Sequence, residues 1–322
     1  MQPNLMSGLT VSHRSRSRLG LTAFHWTLVI LAACQTGTGI AVAQDPADAL
    51  REMFEKFGQR SDQFMPGMFS ELTPTQMSEL EKVPVTKRDE ADFGSRVLKN
   101  YEASIRSQNQ TITRDSNEVK YLSKLVSDLR PNMTNAKRYP IIDVALVTTE
   151  SIDAYSIPGG HLLFTTGLMN NVQSEAELVG VICHELSHLD RGHQLLPLKQ
   201  SKRANTMTDM RSSMQWIATM AKPFRPEFET QADADAVRWM LAEGYDAREL
   251  ARLLVRWDAL QDQQAGWTKM IPSFARSHPD SGRRATVVLD NVDRARVKTE
   301  KLVIGKENLA RRIPKSESQF PN

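Results

Sequence analysis

The pentapeptide His184-Glu185-Leu186-Ser187-His188 places two imidazoles and a carboxylate where they can do chemistry together. Residues four apart on a helix lie one turn apart on the same face, so His184 and His188 can reach one metal ion. Glu185 follows the first histidine, offset around the helix, within reach of a metal-bound water rather than of the metal. This is the arrangement of a metal-assisted hydrolase, with His184 and His188 as ligands and Glu185 as general base. A lone histidine would be read as a hydrogen-bonded imidazole; two at this spacing around a glutamate point to a metal.

Catalytic zinc needs a third protein ligand. His193 lies near, but the metzincin pattern places Gly eighth and His eleventh, whereas Gly192 and His193 are ninth and tenth from His184. Glu229, in Glu229-Thr230-Gln231-Ala232-Asp233, serves better. Glu229 and Asp233 again stand four apart, so one carboxylate can take the metal while the other accepts a hydrogen bond from a ligand imidazole. Two acids on a helix more often form a solvated face, and it is the histidine motif that argues for a metal here. Cys183 adjoins His184 but points about 100° away around the helix, toward the core.

These residues need elements to carry them. Ser174 and Glu177 have capping-box spacing and open a helix bearing Leu178, Val181, Ile182, Leu186 and Leu189, with Gly192 at its end. Glu229 and Asp233 fall in a helix expected over 228–243, stopped by Gly244. Asp246 and Glu249 cap another, with Leu250, Leu253, Leu254, Trp257 and Leu260 on one side. Upstream, Phe93, Val97, Leu98, Tyr101 and Ile105 form one helical stripe. Val119, Leu122, Leu125, Val126 and Leu129 form a second after Ser116. Residues 140–166 read as strands: Ile141–Thr149, Ser151–Ile157, a Pro158-Gly159-Gly160 turn, and His161–Thr166. The expected fold is α+β and predominantly helical, with a small, mainly antiparallel sheet beside the His184–His188 helix.

At this point four separated segments resemble one known family, the gluzincin metallopeptidases of the HtpX and CAAX-prenyl-protease type, in their soluble bacterial envelope branch. The first is His184-Glu185-x-x-His188 with His193 downstream. The second is Glu229-x-x-Ala232-Asp233, similar to the family's third-ligand helix. The third runs from Ala154-Tyr155-Ser156-Ile157-Pro158-Gly159-Gly160-His161 to Thr166-Gly167-Leu168. The fourth is His278-Pro279 with Arg284. Order and spacing agree over about residues 89–290. The chain departs from the family at Asp153, where Asn is usual, and at Ala285, where a larger aliphatic is usual. It lacks the hydrophobic spans of the membrane members, residues 203–225 being polar, and no tetratricopeptide repeat follows.

The resemblance implies a gluzincin-type zinc metalloendopeptidase with one zinc ion per chain, held by His184, His188 and Glu229. A zinc-activated water attacks a peptide carbonyl, Glu185 takes and returns its proton, and Asp233 and His193 support the ligands from behind. His278 and Arg284 are candidate oxyanion donors; His278 could instead be a fourth ligand that closes the site. Ala154, Tyr155, Gly159, Gly160, His161 and Leu162 are candidate substrate contacts, because an exposed edge strand lets an extended peptide add as one more strand. Alternatively, Pro158-Gly159-Gly160 is only the turn of a buried hairpin. The implied substrates are misfolded or unassembled polypeptides of the cell envelope. A low-turnover peptide-binding or chaperone-like protein using the same groove remains the alternative.

Composition bounds the rest. The 322 residues are 40% hydrophobic and 25% charged, an ordinary globular balance. Of the 41 Lys and Arg, Arg14, Arg16 and Arg18 lie in residues 1–43, which hold no Asp, Glu or Lys. The others equal the 38 acidic residues. A neutral body gives no electrostatic footprint for nucleic acid. The arginines precede an apolar stretch from Leu19 to Ala33, as in a secretory signal. Ala41-Val42-Ala43 before Gln44 fits a signal peptidase, and Leu31-Ala32-Ala33-Cys34 resembles a lipobox whose cysteine would be lipidated. Both routes, and an uncleaved anchor, place the body in the cell envelope, periplasmic or secreted. The expected organisation is a signal over 1–43, a linker or arm over 44–88 with a short helix at 48–57, a metallopeptidase domain over 89–295 and a polar tail over 296–322.

Overall fold

Several of the helices have their first turn closed by a side chain. Thr73 caps α1 (Pro74–Glu81) and Thr86 caps α2 (Lys87–Ser107), each in a reciprocal box, with Gln76 and Asp89 respectively. A two-residue strand, β1 (Ile112–Thr113), precedes α3 (Asn117–Leu129), whose Ser116 cap accepts from the Val119 amide. Strands β2 (Asp143–Val147), β3 (Ala154–Ile157) and β4 (His161–Thr165) follow, then α4 (Thr166–Asn171), α5 (Glu175–Arg191) and α6 (Leu196–Arg203). Among the described residues, α7 (Pro226–Ala242), α8 (Arg248–Asp262), α9 (Ser281–Ala295) and α10 (Lys306–Arg311) follow. The computed structural model describes residues 72–203, 225–262, 278, 280–298 and 301–321. The signal segment, the helix expected at 48–57 and the polar stretch within 203–225 lie outside the described residues. Among those described, no helix is long and apolar enough to cross a membrane.

The sheet has the order β1-β2-β4-β3. Pairs β1–β2 and β3–β4 are antiparallel and the central pair β2–β4 is parallel, so the sheet is mixed; β1 is a strand beyond those read in the sequence. Strand β3 therefore lies at an edge, and β4 is inserted between it and β2. Side chains alternate between two covered faces. Val144, Leu146, Ala154, Leu162 and Phe164 join α3, α5, α7 and α8 in the larger core. Ala145, Val147, Ile157 and Leu163 pack with Phe93, Val97 and Ile105 of α2. A sheet covered on both sides reads as continuous apolar runs, here Val144–Val147 and Leu162–Phe164.

Helix α5 is buried all round: every residue from Glu175 to Asp190 is buried. It packs against α7, α8 and edge strand β3. Ser174 caps it, but Glu177 turns away from the box to accept from the Gln173 amide and to pair with Arg256. Gly192 ends it in the left-handed region, at φ +69°.

The two flanking segments differ from expectation. Part of the 44–88 arm is helical: Leu80 of α1 is buried, and Lys199 and Lys202 of α6 donate to the Glu81 and Pro84 carbonyls. The expected polar tail is docked. Leu302, Val303 and Leu309 are buried among its charges. The Gly305 and Ile304 carbonyls accept from the Glu175 and Ala176 amides, at 3.1 and 3.0 Å, satisfying open donors at the start of α5. The Glu175 carboxylate, in turn, accepts from Tyr121, Tyr245 and the Lys315 amide.

Helix α2 and the β3–β4 turn touch through backbone. A Cβ on Gly94 would stand 1.7 Å from the Pro158 carbonyl oxygen. Gly94→Ala is therefore expected to destabilise the fold by about 3 kcal/mol, lowering Tm by roughly 5–10 °C. A thermal melt identical to that of the wild type would show that α2 and the turn are not in this contact.

Candidate metal centre

One atom each from His184, His188, Glu229 and His278 lies within 4.8 Å of the others, and all four residues are buried. His184 Nε2 is 3.0 Å from His188 Nε2 and 3.2 Å from His278 Nδ1. The Glu229 oxygens stand 3.4 Å from both Nε2 atoms, and each is 3.0 Å from His278 Nδ1. Ligands about 2.0–2.1 Å from a tetrahedral ion stand roughly 3.3 Å from one another, so the donor set matches a zinc site in type and spacing. The site combines α5, which carries the His184–His188 pair, with α7, which carries Glu229 and Asp233, and with residues at and before α9.

The outer ring atoms determine what the inner ones offer. His184 Nδ1 is 3.0 Å from Asp233 Oδ1, so its proton goes to that carboxylate and a lone pair on Nε2 faces inward. His193 Nε2 lies 3.1 Å from Gln231 Oε1, and His193 Nδ1 lies 2.9 Å from His188 Nδ1. With Gln231 accepting, His193 must accept from His188, which turns the second Nε2 lone pair inward too. The His193 ring is fixed by stacking on Phe228, centroids 4.1 Å apart.

Arg284 is buried and engages what lies behind the ligands. It donates to both Asp233 oxygens, at 2.8 and 2.7 Å, and to the His278 carbonyl at 3.1 Å, and pairs with Glu229 at 3.0 Å. Its geometry is that of a clamp on the two acids. Burial raises the Asp233 pKa, but Arg284 outweighs it and brings it down to about 2. Burial opposes ionisation of Glu229 as well, yet His278, Arg284 and His184 hold it well below its ordinary value. On His184, burial disfavours a proton but Glu229 and Asp233 raise its pKa to about 9. Burial depresses His188 well below its ordinary value. Three buried acidic side chains, Glu185, Glu229 and Asp233, stand around one buried guanidinium, an acidic excess that suits a cation.

Glu185 is buried beside this cluster. Its Oε2 accepts from Ser156 at 2.8 Å, while Oε1 has no hydrogen-bond partner and lies 3.5 Å from His278 Nε2. An unpartnered buried carboxylate oxygen is costly, and an oxygen of this kind 3.5 Å from an imidazole nitrogen of the cluster suits a proton-carrying ligand.

The candidate substrate residues divide between two places. Ala154 and Tyr155 lie on edge strand β3, with Tyr155 against Tyr101, ring centroids 5.6 Å apart. Gly159 and Gly160 form the hairpin turn at φ +91° and +90°, held by Glu90 through the Gly159 amide. His161 and Leu162 belong to β4, whose two edges are already paired, so neither can receive an added strand. Cys183 is buried in the core. Ser156, Gln194 and Gln231 were not marked by the sequence. They are common polar residues, and their partners lie 29 to 38 positions away.

If Asp233 fixes the His184 tautomer, Asp233→Asn should lower zinc affinity by about 10–100-fold. Competition against a chromogenic chelator measures it. Unchanged affinity would mean that Asp233 does not support the ligand.

The profile of peptidase family M48 matches residues 117–291, more than half of the chain. The mitochondrial metalloendopeptidase OMA1 of Arabidopsis thaliana is 24% identical over 174 residues, covering 51% of this chain and 34% of that protein. The beta-barrel assembly-enhancing protease of Yersinia pestis is 24% identical over 179 residues, covering 49% and 36%. The metalloprotease YcaL of Escherichia coli is 23% identical over 204 residues, covering 59% and 76%. The chain thus spans about a third of the length of the first two relatives and three quarters of the third. The extent of the profile match, over the segments that carry both helices of the centre, makes this protein a member of peptidase family M48.

Proposed function

We propose that the protein is a zinc-dependent metalloendopeptidase of the cell envelope that hydrolyses misfolded or unassembled polypeptides. The observation that carries this reading is the convergence of two inward imidazole lone pairs and the Glu229 carboxylate beside the unpartnered Oε1 of Glu185. Zinc held by His184, His188 and Glu229 would supply Lewis acidity, lowering the pKa of a water and polarising the scissile carbonyl. Glu185 Oε1 accepts the proton of the attacking water as the C–O bond forms. It then gives that proton to the leaving amine nitrogen as the C–N bond breaks. Asp233 and His193 hold the two ligand imidazoles in the tautomers required, and Arg284 keeps Asp233 and Glu229 ionised and in place.

An extended substrate can be held along β3, next to α5, through backbone hydrogen bonds that do not depend on side-chain identity. That suits unfolded chains. The envelope location rests on the arginine-then-apolar N-terminus, and lipidation at Cys34 would add a membrane anchor. His278 favours a closed resting state, because its Nδ1 stands among the ligand atoms rather than at the distance of an oxyanion donor. This feature also suits the second reading, a low-turnover peptide-binding protein.

In the purified full chain, Glu185→Gln is expected to retain zinc and lose about 10²–10⁴-fold in hydrolysis of an unfolded protein. Zinc in both proteins with no cleavage by either would favour the binding protein. His278→Ala should raise basal hydrolysis if His278 closes the site; reduced hydrolysis at full zinc content would make it an oxyanion donor instead.

A further inference from the structure

A carboxylate has two oxygens, and a general base returns its proton to the right atom only if the two are made unequal. In Glu185 they are unequal. Oε2 accepts from the Ser156 hydroxyl at 2.8 Å, and Oε1 is without a hydrogen-bond partner. Ser156 lies on edge strand β3 and is 5% exposed. A second group reaches the same hydroxyl: the side-chain amide of Gln194, at 2.8 Å, from the short turn just beyond α5.

The serine hydroxyl has one proton to give. The Gln194 amide meets its neighbours when its nitrogen donates to the His188 carbonyl at 2.7 Å and its oxygen accepts from the Leu189 amide at 3.2 Å, which leaves that oxygen 2.8 Å from Ser156 Oγ. Two oxygens then stand within reach of the one hydroxyl proton; the Gln194 oxygen has the Leu189 amide as a donor of its own, and Ser156 is the donor to Glu185 Oε2.

We propose that Ser156 is a positioning residue for the general base. By donating to Oε2, Ser156 fixes the rotation of the carboxylate and leaves Oε1 as the oxygen open to a proton. The proton taken from water therefore stays on Oε1, the atom that must hand it to the leaving amine. The Ser156 proton remains on Oγ throughout. This role rests on Glu185 being the base in the reaction proposed above.

The test compares zinc-loaded full-length wild type, Ser156→Ala and Ser156→Thr by steady-state kinetics, zinc content and crystal structure. Ser156→Ala should lower kcat about 10–100-fold with KM and zinc content unchanged, and Ser156→Thr, which keeps the hydroxyl, should stay within about threefold of wild type. In the crystals, the Glu185 carboxylate should keep one orientation in the wild type and turn or split in Ser156→Ala. A kcat within about twofold of wild type for Ser156→Ala, or an equal loss in Ala and Thr variants, overturns the proposal. An unmoved carboxylate in Ser156→Ala overturns it independently of any activity. If no protein hydrolyses substrate but the carboxylate still turns, the Ser156–Glu185 hydrogen bond is upheld and it is the peptidase reading that falls.

Discussion

The Asp233 carboxylate is where the centre is tied together. One of its oxygens accepts from His184, and both accept from Arg284, so α5, α7 and α9 meet at a single buried charge. Burying that charge alone would be prohibitive; burying it against a guanidinium in bidentate geometry is not. Its pKa of about 2 means that this contribution to stability is complete above the ordinary aspartate range and is lost as pH falls through about 2. Removing one partner of such a set typically costs about 3–5 kcal/mol, because the other charge is left stranded. The metal ligands thus stand on an interaction that the fold itself needs.

Helix α5 must be rigid for this to work, and its burial explains how. A helix covered on every side cannot turn its polar residues to water, so each needs an internal partner. Glu175 has Tyr121, Tyr245 and Lys315; Ser187 has Asp235; Asp190 caps the Thr134 and Asn135 amides. The first amides are closed by carbonyls from the C-terminal segment, more than 120 residues away in the chain. The docked segment is therefore part of the support of the helix that carries the centre.

Much of this was legible in the sequence wherever the signal is local. The pairs His184–His188 and Glu229–Asp233 announce themselves because helical geometry turns a spacing of four into proximity. The Ser116, Ser174 and Gly192 helix boundaries follow from cap chemistry in the same way. The strand order was not legible. Val144–Val147 and Leu162–Phe164 are buried on both faces, so their sequence carries no face alternation from which to read a neighbour. The tail was misread because its apolar residues, Leu302-Val303-Ile304, Leu309 and Ile313 among them, fall between charges without a helical or strand period. Arg284 was assigned to the oxyanion through resemblance, while its hydrogen bonds place it behind the ligands. Ser156 carries no signal of its own; it acquires a role only when β3 is laid against α5.

The two tasks of the proposed reaction, holding the metal ligands and orienting the base, would rest on different parts of the fold. The ligands are oriented through helix–helix contacts, by Asp233, Arg284, His193 and Gln231, all on or near α7, α9 and the end of α5. The base is oriented through a helix–sheet contact, by Ser156 on β3. Side chains at helix–helix contacts interlock over several turns and resist small displacements. An edge strand has one free side and yields more readily when another chain pairs with it. If substrate adds along β3, its binding acts on the strand that holds Glu185 Oε2, while the metal ligands stay where α7 and α9 keep them. Engagement of an extended peptide can then adjust the base without loosening the ion, because the two supports share only α5.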